Sequence, residues 1–261
     1  MDGIKPSIIV MYPKYIYPKR LILKLIGSLL VGRHRSFHQD ACELISRQNP
    51  APRILGRENI PKGGAWVITF NHYHRPGFQA WWLALNIAAV VEEEMHWVVT
   101  GELTFPGDWY GYAGRPLSRW VLRKLADCYG FTSMPPMPPR LKDSEARAAA
   151  VRQVLTFIKQ NVEPKVGLAP EGGDNPEETL SMPAAGGGRF GLLMANHGLR
   201  FIPAGAYEAD GIFHLRFGST YELKLPAGLS AHEKDQQAAR IIMQRIASLL
   251  PEHLQGEFKR N

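Results

Sequence analysis

Two short polar blocks interrupt apolar stretches of this chain, and both carry residues able to handle protons. Asn71-His72 directly follows the apolar run Ala65-Trp66-Val67-Ile68-Thr69-Phe70, and Pro170-Glu171-Gly172-Gly173 directly follows Lys165-Val166-Gly167-Leu168-Ala169. A neutral imidazole at a strand end, with an unperturbed pKa near ~6.5, can take a proton from a hydroxyl nucleophile. Bonded to backbone at a turn, the same His72 is structural. Glu171 sits among glycines that let a backbone approach a ligand closely; the plainer reading is a solvated surface turn. Position alone leaves both alternatives open.

Other chemistries lack their residues. There is no GxSxG elbow, which disfavours a serine hydrolase of the α/β type. Neither GxGxxG after the first strand nor GxxxxGK[ST] occurs, so dinucleotide and P-loop readings fail. Gly186-Gly187-Gly188-Arg189 is glycine-rich but lacks the P-loop lysine and preceding strand. His72 and His74 are two apart and no HExxH exists, so no metal site is expected. Cys42 and Cys128 are far apart, without CxxC spacing. They read as reduced, mostly buried thiols rather than a disulfide.

The elements that must position the two blocks follow from apolar pattern and breakers. Residues up to about Gln48 read as helical, and Asn49-Pro50-Ala51-Pro52 is a break. Strands are predicted at Arg53–Gly56, Ala65–Phe70, His96–Thr100, Phe131–Met134, Lys165–Ala169, Arg200–Ala206, Phe213–Gly218 and Tyr221–Leu223. Helices are predicted at Phe78–Val91, Pro116–Tyr129, Asp143–Asn161, within Pro183–His197, and at Ala231–Leu250. Asp143 or Ser144 is the expected cap of the third. Strand and helix alternate, so the fold class is α/β: a mixed β-sheet covered by helices. Residues 1–50 form an N-terminal helical extension and 51–261 one α/β domain.

Length and composition agree. The 261 residues, 45% apolar and 10% aromatic, can bury a large core. Thirty-one Lys and Arg against 24 Asp and Glu give +7. That balance suits nucleic acid, an anionic membrane surface or an anionic substrate. No basic block with interleaved aromatics is present, so nucleic acid is not an expected partner. Met1 to Lys14 lacks the pattern of a signal peptide. No run reaches the ~18 apolar residues of a membrane span. Lys19 to Val31, apolar and flanked by Lys14, Lys19, Arg20, Arg33 and Arg35, reads either as a helix in the headgroup plane or as one packed on its own domain.

Four blocks in order resemble the lysophospholipid and glycerol-phosphate acyltransferase family, the PlsC-like enzymes, from about Arg53 onward. Leu55-Gly56-Arg57-Glu58-Asn59-Ile60-Pro61 resembles the family's lead-in turn. Val67-Ile68-Thr69-Phe70-Asn71-His72 is similar to its strand entering Asn-His, Leu168-Ala169-Pro170-Glu171-Gly172 to its Pro-Glu-Gly block, and Phe201-Ile202-Pro203-Ala204-Gly205-Ala206 to its later Val-Pro-Val-like block. The resemblance implies a glycerolipid acyltransferase-like fold and O-acyl transfer. His72, with Asn71, would act as base on a hydroxyl that attacks the thioester of acyl-CoA or acyl-carrier protein, with no other cofactor. Pro170, Glu171, Gly172 and Gly173 would belong to the acceptor site, and the acceptor would be a glycerol-phosphate or lysophospholipid. A peripheral place on the cytoplasmic, inner face of a membrane is implied as well.

Two positions depart from the family's pattern. The family places Asp after His and four further residues; from His72 that position holds Gly77, and from His74 it holds Gln79. Such a carboxylate fixes the imidazole tautomer in His-acid pairs. Asp108, Glu171 and Asp174 are the acids that could take its place. The family's phosphate-binding arginine, near Gly130–Met134, is replaced by proline, with Arg140 a little further on. The other expectation is therefore a catalytically weak or inactive acyltransferase-like protein that binds lipid at the membrane.

Overall fold

The computed structural model describes residues 12–103, 108–173 and 175–259. Two helices, α1 (Lys19–Val31) and α2 (Phe37–Ile45), precede the first strand. There follow β1 (Arg53–Leu55), β2 (Trp66–Phe70), α3 (Trp81–Val90), β3 (His96–Thr100), α4 (Asp108–Tyr129), β4 (Thr132–Met134) and α5 (Ser144–Gln160). The chain continues through β5 (Lys165–Leu168), α6 (Gly187–Asn196), β6 (Arg200–Ala209), β7 (Ile212–Phe217) and α7 (Ala231–Ala247).

The strands make one seven-stranded sheet in the order β1-β7-β6-β2-β5-β3-β4. Strands β6, β2, β5, β3 and β4 are parallel. The β6–β7 hairpin is antiparallel and β1 pairs parallel to β7, so the sheet is mixed, as expected. Every residue of β2 is buried, which is what a continuous apolar run in the middle of a parallel sheet requires. Beside it, Gly167 of β5 leaves room for the indole of Trp97: a Cβ there would fall 2.5 Å from the ring. Trp66, Trp82, Trp97, Phe201, Ile202 and Leu215 are fully buried at the centre of the core.

The N-terminal helices are stitched to this core. Leu21, Ala41 and Leu44 join the buried cluster. The Asp40 carboxylate accepts from Arg35 Nε at 2.7 Å and from the Tyr129 hydroxyl at 2.8 Å, tying α2 to the end of α4.

Several boundaries differ from the sequence reading. Helix α4 begins at Asp108 and carries Pro116 inside it rather than in its first turn. Asp143 stands at the cap position of α5 but makes no capping bond; Arg140 Nε donates to its carboxylate instead. Tyr221–Leu223 forms no strand, and only Tyr221 bridges to Phe201. In the antiparallel register set by Phe201 with Tyr221, Leu223 falls opposite Leu199, before β6 begins at Arg200. Cys128 is buried, Cys42 is half-buried, and both are free thiols.

Candidate active site

The parallel strands β2, β5, β3, β4 and β6 all present their C-terminal ends at one edge of the sheet, where open α/β sheets place ligands. Asn71 and His72 leave β2 there, and Glu171 follows β5, the strand hydrogen-bonded to β2. The Glu171 carboxylate reaches across this pair. Its Oε2 accepts the His72 backbone N–H at 2.7 Å, and its Oε1 accepts from Ser181 N at 2.9 Å and Ser181 Oγ at 3.2 Å. Glu171 is buried, not the solvated turn residue of the plainer sequence reading. Burial pushes its carboxyl above the usual range, against the pull of the His72 and Ser181 N–H groups.

Asn71 is buried and faces the other neighbour of β2. Its Nδ2 donates to the Ala206 carbonyl at 2.8 Å, and its Oδ1 accepts the Ala206 N–H at 2.7 Å. The side chain thus extends the β2–β6 connection past the last backbone pair, Phe70 with Ala204. Burial then alternates along the loop. Asn71, Tyr73 and Arg75 are buried, while His72 and His74 are half-buried. The imidazole of His72 is therefore carried on the more accessible side of an extended segment that is fixed on both flanks.

The Pro170–Gly173 block is closely packed. Gly172 adopts φ +72° in a turn closed by its N–H to the Ala169 carbonyl at 3.1 Å. A Cβ on Gly172 would fall 2.8 Å from Met137 Cγ, so glycine lets the proline-rich loop after β4 lie against this turn. Gly173 also faces Met137, and Pro170 lies inside the turn that follows β5. Arg140 follows the same loop but is engaged. Its Nη1 donates to Glu102 at 3.5 Å and its Nε to Asp143. Glu102, buried after β3, also accepts from Arg119 Nε at 2.6 Å. Burial raises the Glu102 carboxyl, but the two guanidiniums outweigh it and hold the group below the usual range.

Of the acids considered in place of Gly77, Glu171 reaches the His72 backbone. Asp108 opens α4 and its side chain is outside the described residues, as is Asp174. Gly77 itself adopts φ +80°. Among the described residues no group of three or more His, Cys, Asp or Glu is placed to hold a metal ion.

Sequence reasoning missed one feature. Glu208, near the end of β6, takes a bidentate ion pair from Arg75, and the hydroxyls of Tyr15 and Tyr73 bond to it at 2.6 and 3.3 Å. The signal was present: Glu208 is an acid at an apolar strand end, as Glu171 is. The predicted strand stopped at Ala206, which put Glu208 outside it.

No family model matches the chain, and no curated protein matches it. Among solved structures, the chain is similar to the crystal structure of the 1-acyl-sn-glycerophosphate (LPA) acyltransferase PlsC from Thermotoga maritima. The two are 14% identical with a TM-score of 0.48, over 88% of this chain and 81% of that chain.

Proposed function

We propose that this chain is an O-acyltransferase of the glycerolipid type. It moves a fatty acyl group from acyl-CoA or acyl-carrier protein to a hydroxyl of a glycerol-phosphate or lysophospholipid acceptor. The observation that carries the reading is the meeting of His72 and Glu171, 99 residues apart in sequence, through the 2.7 Å bond at neighbouring strand ends. Two ordered sequence blocks thereby become one site. His72 takes the hydroxyl proton, the alkoxide attacks the thioester carbonyl, and the C–S bond breaks as the leaving thiolate takes the proton back from His72; no covalent enzyme intermediate and no cofactor beyond the co-substrate are needed.

The Pro170–Gly173 turn shapes the acceptor side. Arg140, held by Glu102 and Asp143, would bind an acceptor phosphate only by exchanging one of these partners. Thiol release from a panel of acyl thioesters and acceptors tests the reading. Acceptor-dependent release is expected, with loss in a folded His72→Ala protein; undiminished release in that variant would falsify the base assignment. Lipid binding without thioester consumption would favour the inactive alternative, which Gly77 in the acid's place motivates.

We further propose that the chain works on the cytoplasmic face of a membrane. Leu23, Ile26, Leu30 and Val31 of α1 are exposed between Lys19, Arg20, Lys24 and Arg33. Among the described residues no helix is long and apolar enough to cross a membrane.

A further inference from the structure

We propose that Glu208 is a positioning residue for His72, acting through Arg75 and Tyr73. This rests on His72 being the base. Three buried side chains of the segment after β2, those of Asn71, Tyr73 and Arg75, bond to β6. Asn71 bonds the Ala206 backbone, while Tyr73 and Arg75 both bond the Glu208 carboxylate. The two sides of His72 are thus fastened to one strand. Its own N–H is fastened by Glu171 to the strand across β2.

The Glu208 side chain has no exposed surface. Four donor atoms converge on it: Arg75 Nε, Arg75 Nη2 at 3.0 Å, and the hydroxyls of Tyr73 and Tyr15. Arg75 is fixed further. Its Nη1 donates to the Pro76 carbonyl at 2.9 Å, and its guanidinium lies 3.9 Å from the centre of the Tyr12 ring. A bidentate guanidinium–carboxylate pair sets direction as well as distance. The segment therefore has one orientation, and the half-buried His72 takes its place from it.

Position 77, where an acid was expected, lies beside this cross-link. Among the described residues, a Cβ there would meet Arg75 Nη1 at 3.7 Å. An acid at 77 would face the guanidinium that Glu208 holds, so positioning by Glu208 and an aspartate at 77 are competing arrangements.

Misplacing a catalytic group by ~1 Å can cost on the order of 100-fold in rate. The test uses the full chain and Glu208→Gln, which keeps shape and removes charge. Ring signals of His72, assigned by their loss in His72→Gln, are followed by ¹H–¹⁵N correlation at one pH. In Glu208→Gln they should move or broaden while circular dichroism is unchanged. The kcat should fall about 10- to 100-fold with KM little altered. Arg75→Lys, which keeps charge but loses the fork, should do the same. Tyr15→Phe, which removes one hydroxyl, should move the signals less.

Unmoved His72 ring signals in folded Glu208→Gln or Arg75→Lys would overturn the proposal. If neither variant folds, unmoved signals in Tyr15→Phe overturn it. Absence of thioester turnover in the unmodified chain would defeat the acyl-transfer reading instead, and the ring signals would still decide the role of Glu208.

Discussion

Glu171 is held where an ionised carboxylate is costly, and two backbone N–H groups depend on it. Glu171→Ala would leave the His72 and Ser181 N–H donors without their acceptor. Each buried unsatisfied donor costs about 1–3 kcal/mol. Urea unfolding should therefore show a lower midpoint, and acyl transfer should fall as the turn loses its hold on the histidine segment. A stability equal to wild type would show that water replaces the carboxylate freely. Gly77→Asp is the complementary change. The φ of +80° costs a non-glycine residue about 1–2 kcal/mol, and the new carboxylate would draw Arg75 from Glu208. The expected result is a lower Tm with no gain in turnover; an increase in turnover would mean that the motif acid can be restored here. These residues also show what was legible. Asn71-His72 and Glu171 could be found because each breaks an apolar run, and that boundary is visible in sequence. The bond between them was not legible, because strand order depends on which apolar runs pair. Glu208 was lost with the last three residues of β6.

At the scale of elements, buried polar groups set how the sheet answers to pH. His96 of β3 is buried, its Nε2 lies 2.8 Å from Thr132 Oγ1 of β4, and its ring stacks on Phe157 of α5 at 4.2 Å. Burial lowers its pKa to about 4. The unfolded chain, with histidine near ~6.5, then binds more protons than the folded one between these values. Stability should rise with pH from about 4 to about 6.5, by roughly 3 kcal/mol from this group. His96→Gln should flatten that rise in urea midpoints; an equally steep variant would assign the acid sensitivity elsewhere. Helix packing offers a sterically simpler test. A Cβ on Gly188 of α6 would fall 1.9 Å from the Asp235 carbonyl oxygen of α7. Gly188→Ala should cost at least the ~1–3 kcal/mol typical of overpacking, read as a loss in Tm. The sequence reading set the glycine cluster ahead of a helix, whereas Gly187 and Gly188 form the first turn of α6. Its use for close helix contact was not legible, because that depends on α7, which follows more than forty residues later.

For the whole molecule, the distribution of charge and exposed apolar surface sets how it meets a lipid surface. Helix α1 buries Leu21 and Ser28 and turns Leu23, Ile26 and Leu30, spaced three and four apart, outward on the opposite side. Its 13 residues span only about 20 Å at 1.5 Å each, against roughly 30 Å of hydrocarbon, so it can lie in a bilayer but not cross one. No acid occurs between residues 12 and 39, whereas Lys14, Lys19, Arg20, Lys24 and Arg33 are exposed there. The sequence suited both a headgroup helix and a helix packed on its domain, since apolar spacing does not say how many faces are covered. The fold covers one face and leaves the other open. Each basic residue near an anionic bilayer contributes about 1 kcal/mol, an attraction that falls off within a Debye length of ~8 Å at physiological salt. Sedimentation with vesicles should therefore show binding that needs anionic lipid and weakens as salt rises. Leu23→Glu with Leu30→Glu should reduce it at least tenfold without changing circular dichroism, because both side chains already face solvent. If binding survives that double change, the membrane contact lies on another face and α1 serves only to cover α4.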